Sequence, residues 1–253
     1  MSYVQKTTTY GPFIEIVKHH TSMYGRHGAR KKKSVPTTEE VEQNNRRHTV
    51  DKLYKKLVNN FTPLKDSYVT LTLRPEFRKD PKKAHEIWTK QFIPAMRRAY
   101  RKEGVELKYV FVQGGYPDAI HFHMVVNSYN GKNLTELLAE LWKYGNSPDA
   151  KGLYADYDWA GLADYMVANS YDTFRDPDNP FRQIFSCSRN LENPKVERKI
   201  IKAGEWRKTP KVPPKMTAAG YDMVPDSLVI GTDIYGFAFQ KFILVKKRHA
   251  KKC

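Results

Sequence analysis

The clearest pattern along the chain begins at Tyr68, where Val69, Leu71 and Leu73 alternate with Thr70, Thr72 and Arg74. Period two marks a half-buried strand, and Pro75 closes it. Apolar side chains then recur at helical spacing from Ala84 through Trp88, Phe92, Met96 and Tyr100 up to Gly104, which predicts a helix kinked at Pro94. Leu107 to Gln113 and Ala119 to Asn127 read as two strands, and Gly114-Gly115-Tyr116-Pro117-Asp118 between them suits a hairpin loop. Asn133 with Glu136 caps a helix bearing Leu134, Leu137, Leu138, Leu141 and Trp142, with Gly145 as its expected stop. After Leu153 to Tyr157 a further helix starts near Asp158 and carries Leu162, Tyr165, Met166 and Asn169, ahead of the breaker-rich loop Asp172 to Pro180.

Strand, helix, strand, strand, helix and further strands predict an α+β fold: a central, mainly antiparallel sheet with flanking helices and basic extensions at both ends. Residues 1–60 read as a basic arm followed by a surface helix. The arm holds Arg26, Arg30, Lys31, Lys32 and Lys33, and the helix starts at a Thr37-x-x-Glu40 capping box and runs to about Asn60. Its apolar positions Val41, Leu53, Leu57 and Val58 are sparse among charges, which suits a surface position. Residues 61–200 form the domain expected to carry the chemistry. Residues 201–253 form a basic C-terminal segment, with one or two strands within Val229 to Val245. Between 195 and 215, eight Lys or Arg face two Glu, and Pro210, Pro213 and Pro214 predict a stiff, extended path suited to a phosphate backbone. The arm and the tail Lys246, Lys247, Arg248, Lys251 and Lys252 admit two readings, a solvated basic surface or direct contact with DNA.

Charge sharpens this picture. The 253 residues carry 44 Lys plus Arg against 27 Asp plus Glu, a net charge of +17. The commonest partner of such an excess is nucleic acid, although a membrane surface or a ribosome-like assembly also takes positive charge. Cys187 and Cys253 are the two cysteines, so neither a disulfide framework nor a cysteine zinc site is available. Met1 to Val17 lacks the apolar core of a signal peptide, and no later stretch approaches a membrane span, so the expected location is the cytoplasm with no membrane partner.

The candidate chemistry lies on the second hairpin strand. His121 and His123 are two apart, so their imidazoles share one face roughly 7 Å apart along the backbone and can converge on one divalent cation. Ile120, Phe122, Met124 and Val126 then face the core. Gln113 at the end of the neighbouring strand is the candidate third, oxygen ligand, with Asp118 in the loop as its rival. Downstream, Tyr165 stands on a helix with Asn169 one turn later on the same face. A phenol is a weak nucleophile at neutral pH, so it needs a strengthened electrophile. A cation held by the two histidines would polarise a scissile phosphate and stabilise the charge on the departing 3′ oxygen.

These residues resemble the rolling-circle replication initiators of the HUH endonuclease superfamily. Three elements recur in that family's order: the Val69-Thr70-Leu71-Thr72-Leu73 strand, the His121-Phe122-His123 pair and the Leu162-Ala163-Asp164-Tyr165 helix. The Asn-rich helix leading to Asn60 and Phe61, and Ser188-Arg189-Asn190-Leu191 before Pro194, are similar to the phage- and plasmid-associated branch. The resemblance covers about residues 40 to 200 and implies a ferredoxin-like nuclease domain. It also implies Mg²⁺ or Mn²⁺ at the His pair, attack by Tyr165 on single-stranded origin DNA, a 5′-phosphotyrosine link, and a free 3′ hydroxyl that primes a host polymerase. The sequence departs from the family where Asn169 replaces the usual lysine after the tyrosine, so Arg189 is the candidate for the missing positive charge, with Asn169 as a second DNA contact. It also departs where Gln113 replaces the usual acidic ligand. Tyr171, Tyr157 and Tyr154 are alternative or second nucleophiles. No Gly-x-x-x-x-Gly-Lys-Ser/Thr loop occurs, so unwinding is expected to fall to a host helicase or to supercoiling.

Two other functions fit parts of the pattern. A single-tyrosine transposase of the same superfamily would use His121, His123 and Tyr165 identically on the ends of a mobile element. A non-catalytic protein that binds single-stranded nucleic acid through its 28 Phe and Tyr residues would make the His pair structural and form no covalent adduct.

Overall fold

Two strands open the chain, β1 (Ser2–Tyr10) and β2 (Phe13–Thr21), joined by Gly11-Pro12. Gly11 holds φ at 49°, a conformation that a two-residue hairpin loop needs and that glycine adopts without a Cβ clash. The computed structural model describes residues 2–21, 38–146, 148, 150–202, 210–232 and 236–247. The hairpin corrects the expectation of an arm over residues 2–21. The arm's Arg26, Arg30, Lys31, Lys32 and Lys33 lie outside the described residues.

Helix α1 (Glu39–Asn60) is capped by Thr38, whose side-chain oxygen accepts from the Val41 N–H. Thr37, the expected cap, lies outside the described residues. Then come β3 (Ser67–Thr72), α2 (Pro75–Arg78), α3 (Pro81–Glu86) and α4 (Ile93–Lys102). Helices α3 and α4 are continuous through a π-helical turn, Ile87–Phe92. Pro94 lacks an N–H and its ring crowds the carbonyl one turn back, so the wider turn ahead of it stands where the kink is expected. Gly104 closes α4 at φ 70°, with the Val105 N–H donating back to the Tyr100 carbonyl at 3.0 Å, a left-handed helix stop.

The hairpin β4 (Tyr109–Gly114) and β5 (His121–Val126) follows, then α5 (Leu134–Leu141), whose cap Asn133 accepts from the Thr135 and Glu136 N–H groups. Gly145, expected to stop α5, lies beyond its end. A Cβ there would sit 1.7 Å from the Thr72 carbonyl oxygen, so glycine instead lets this loop lie against β3. Strand β6 (Ala150–Gly152), helix α6 (Ala160–Ala168) and the short β7 (Ser186–Cys187) complete the first unit.

The chain divides into two compact units, Thr37–Glu192 and a second made of Met1–Pro36 with Asn193–Cys253. The first unit begins at residue 37, not at 61, because α1 buries Leu53, Leu57 and Val58 and packs against α6. Its sheet runs β6-β3-β5-β4-β7 with every pair antiparallel. One face covers a core of Val69, Leu71, Phe111, Phe122, Met124 and Val126 packed on Trp88, Phe92 and Met96 of the long helix and on Leu138 and Trp142 beyond it. The mainly antiparallel sheet with flanking helices expected from the sequence is this unit.

The second unit adds β8 (Lys195–Ile201), α7 (Pro214–Ala218), β9 (Tyr221–Met223), β10 (Val229–Thr232) and β11 (Ala238–Lys246). These strands join the N-terminal hairpin in a second antiparallel sheet of order β10-β11-β2-β1-β8, with β9 on β11. Its core is Ile14, Ile16, Phe242 and Leu244. The stretch 195–215, expected to be stiff and extended, thus starts as a paired strand and ends in a helix, with 203–209 outside the described residues. The stretch Val229 to Val245, expected to hold one or two strands, holds β10 and all but the last residue of β11. Of the basic tail, Lys246 ends β11, while Arg248, Lys251 and Lys252 lie outside the described residues. Among the described residues no helix is long and apolar enough to cross a membrane.

Trp88 is fully buried, with ring centroids 4.3 Å from Phe111 and 4.4 Å from Phe122. Trp88→Ala is expected to lower unfolding stability by about 3–5 kcal/mol, read from urea denaturation.

Candidate active site

Register decides which side chains meet on the face of the first sheet opposite its aromatic core. His121 lies opposite Thr72 on β3 and Gly114 on β4, while His123 lies opposite Thr70 and Val112. Directly paired residues point to one side of a sheet, so these six share a face. Phe122, Leu71 and Gln113 form the intervening row on the other side.

The His121 and His123 Nε2 atoms are 3.1 Å apart. The other nitrogen of His121, Nδ1, lies 2.9 Å from the Ala119 carbonyl oxygen. A carbonyl can only accept, so Nδ1 carries a proton and Nε2 is the nitrogen turned toward His123. His123 Nδ1 lies 2.6 Å from the Tyr68 hydroxyl and 3.2 Å from Thr70 Oγ1. His123 is 2 % exposed, and burial, reinforced by the charge of His121 and opposed by a hydrogen bond that the imidazole donates to Asn169, pulls its pKa down to about 4. At neutral pH it is therefore an uncharged imidazole. Burial also pushes the Tyr68 phenol up to about 12, so it stays protonated beside His123.

Helix α6 brings the tyrosine. Ala163, Met166 and Val167 are its buried positions, which turns Tyr165 outward at 49 % exposure. The Tyr165 hydroxyl stands 3.2 Å from His123 Nε2. One turn on, Asn169 donates through Nδ2 to the Tyr165 carbonyl at 2.7 Å. That bond orients the amide so that Oδ1 approaches the sheet. A Cβ built on Gly114 would lie 2.8 Å from Asn169 Oδ1 and 2.7 Å from His121 Nε2, so these atoms converge over a backbone position that only glycine leaves open.

Several expected positions fall elsewhere. Gln113 is buried on the opposite face, its Nε2 donating to the Gly114 carbonyl at 2.9 Å and its Oε1 accepting from Asn179 at 3.4 Å. A one-residue difference in register moves a side chain through the sheet, and Gly114, not Gln113, is the residue across from His121. Among the described residues no third His, Cys, Asp or Glu joins the pair as a metal cluster, and Asp118 lies exposed on the hairpin loop. The oxygen donor that the fold does bring beside the imidazoles is Asn169. Arg189 is also displaced. Ser188 bonds the backbone of Tyr109 at the start of β4, so Arg189 sits at the opposite end of that strand from Gly114. Tyr171 commits its hydroxyl to the Glu42 carbonyl at 2.8 Å, Tyr157 packs at a tilt against Trp159, and Tyr154 is exposed. Tyr68, Thr70 and Gly114 are the site residues that sequence reasoning missed. Tyr68 and Thr70 were visible as the polar half of the β3 alternation, but their pairing with β5 was not.

Residues 66–169 match the family described as Replication-associated protein ORF2. The matched segment runs from the start of β3 through Asn169 and so contains Tyr68, both histidines and Tyr165. Over this segment the chain is similar to replication-associated proteins, which bears out the resemblance to phage- and plasmid-associated replication initiators. No curated protein and no solved structure matches the chain.

The low His123 pKa has a consequence for stability. The unfolded chain takes up this proton near the ordinary value of 6.5 and the folded chain only near 4, so between those values protons favour unfolding. The stability contributed by neutral His123 is complete above pH 6.5 and lost as pH falls toward 4. Thermal unfolding in EDTA at a series of pH values is expected to show a steeper decline over this window for the wild type than for His123→Gln.

Proposed function

We propose that the protein nicks single-stranded DNA with Tyr165 as nucleophile and thereby starts rolling-circle replication. The observation that carries this reading is the contact of an exposed tyrosine hydroxyl with His123, an uncharged imidazole whose Nε2 converges with that of His121, inside the segment that matches replication-associated proteins.

Two imidazole nitrogens and an amide oxygen could hold a divalent cation, and Mn²⁺, which accepts nitrogen more readily than Mg²⁺, suits this donor set better. The two imidazole nitrogens stand 3.1 Å apart and Asn169 Oδ1 lies beside them, so the three atoms could share one ion. His121 Nε2, His123 Nε2 and Asn169 Oδ1 would hold the ion, which would supply Lewis-acid polarisation of the scissile phosphate. The chain's own residues do the rest. The Ala119 carbonyl accepts from His121 Nδ1, and the Tyr68 oxygen, 2.6 Å from His123 Nδ1, would accept from it in the tautomer that frees Nε2 to ligate. Asn169 pins the helix turn that presents Tyr165.

In the reaction the Tyr165 oxygen bonds to phosphorus and its proton leaves to solvent at the exposed mouth of the site. The bond from phosphorus to the 3′ oxygen breaks, and that oxygen takes up a proton. The product is a 5′-phosphotyrosine and a 3′ hydroxyl, which a host polymerase extends while a host helicase or supercoiling opens the duplex. Because the phosphodiester energy is kept in the tyrosine link, the reverse attack rejoins the strand.

The deciding experiment mixes wild type and Tyr165→Phe with labelled single-stranded origin DNA and Mn²⁺ and looks for an adduct that survives SDS. Wild type alone is expected to form it. Adducts with both proteins would move the nucleophile to another tyrosine, and tight binding without any adduct would favour a non-catalytic nucleic-acid-binding protein. Tyr68→Phe removes the oxygen that orients His123. It is expected to raise the Mn²⁺ concentration for half-maximal adduct formation about 10-fold or more while the adduct stays on Tyr165, read from a metal titration and peptide mapping.

A further inference from the structure

The displaced Arg189 belongs to a second feature of the first unit. An open cleft of about 730 Å³ lies between the end of α4, the turn after it and the loop after β7, and Arg97, Arg101 and Arg189 all line it. Arg97 and Arg101 are one helical turn apart and exposed on one face of α4. Arg189 is brought in by Ser188, whose N–H donates to the Tyr109 carbonyl at 2.9 Å and whose Oγ accepts from the Tyr109 N–H at 3.1 Å.

The charges in this cleft are not matched. Glu106 is the single acid among its lining residues, and its carboxylate accepts from Asn190 Nδ2 at 3.2 Å. Arg97 reaches the Tyr109 hydroxyl at 3.3 Å through one nitrogen of its fork. Arg101 and Arg189 have no carboxylate partner among the described residues. Three guanidinium groups gathered on one cleft repel one another, and a structural role would supply carboxylates to offset them. No aromatic side chain lines the cleft, so it lacks the stacking platform that a nucleobase takes. The forked, permanently charged donors suit phosphate oxygens.

We propose that Arg97, Arg101 and Arg189 form a phosphate-binding site for the DNA backbone, separate from the tyrosine and anchoring the same nucleic acid at a distance from the cut. The inference rests on the reading of Tyr165 as a DNA-cutting residue. Strand β4 sets the separation. Gly114 at one end faces His121 and Tyr109 at the other is tied to Ser188, a span of roughly 17 Å. A strand cut at Tyr165 and gripped here is therefore held a few nucleotides from the reacting phosphate.

The test uses the full-length triple variant Arg97→Gln/Arg101→Gln/Arg189→Gln, with its thermal unfolding recorded to establish that it folds. Affinity is measured over a salt series for a long single-stranded oligonucleotide, for a duplex of the same length, and for a short oligonucleotide spanning only the cut. On the long single strand or the duplex, affinity is expected to fall about tenfold or more, and the salt dependence to weaken by about two released ions. Affinity for the short oligonucleotide, and its rate of adduct formation, should match wild type. The matching triple Arg→Lys variant should recover the salt dependence but only part of the affinity, because lysine lacks the fork. Unchanged affinity on both long ligands, or full recovery by lysine, would overturn the site. Absence of any wild-type adduct, with the triple variant still losing affinity for the long strand, would count against Tyr165 and leave the cleft standing.

Discussion

Everything at the candidate site depends on how one aromatic side chain is held beneath the sheet. Phe122 is fully buried against Trp88, with Phe111, Trp142 and Phe181 around it. Burying a phenylalanine is worth about 1.5–3 kcal/mol, and aromatic neighbours add to it. Because side chains alternate along a strand, driving Phe122 into the core forces His121 and His123 onto the opposite face. The two imidazoles are therefore positioned by hydrophobic packing on the far side of the sheet, without needing to attract each other. A slip of one residue would drive both imidazoles into the aromatic core and move Phe122 to the face that holds the site, which is why the register is strongly specified here.

Electrostatics then follow from where that face lies. The cover given by α6 buries His123, and burial keeps it uncharged at neutral pH, the state in which an imidazole nitrogen can donate its lone pair. Tyr68 and Thr70 supply polar partners for the nitrogen that faces away from the site, so burial does not orphan it. Helix α6 itself is oriented by Ala163, Met166 and Val167 on its inner side and by α1 beside it, which leaves Tyr165 at the boundary with solvent. A hydroxyl there can reach both the imidazoles and an incoming strand. The glycine at 114 completes the arrangement by leaving the space in which His121 and Asn169 approach one another.

The second unit is built on a different principle. Its sheet joins residues from opposite ends of the chain, with Tyr3 paired to Ile201 and Ile14 to Leu244. Such pairings form only after a long loop has closed, at an entropic cost that grows slowly with loop length. Local pattern gives little sign of them. In β1, Thr7, Thr8 and Thr9 favour a strand by their branching but show no apolar alternation, and the Gly11-Pro12 turn is the one short-range cue.

The period-two run at Tyr68, the helical run from Ala84, the hairpin strands and the Asn133 cap were all legible in the sequence, because each rests on spacing along a few turns or residues. So were His121 and His123 as neighbours on one face and Tyr165 with Asn169 on another, since strand and helix periods place them without reference to the rest of the chain. What only the tertiary structure decided was which elements meet and in what register. That Gly114 and not Gln113 lies across from His121, that Asn169 and not Asp118 comes beside the imidazoles, that Tyr68 backs His123, and that Arg189 stands with Arg97 and Arg101 all depend on contacts between residues far apart in sequence. Side-chain periodicity is a local property of the backbone, whereas strand register and helix docking are set by burying the whole core at once.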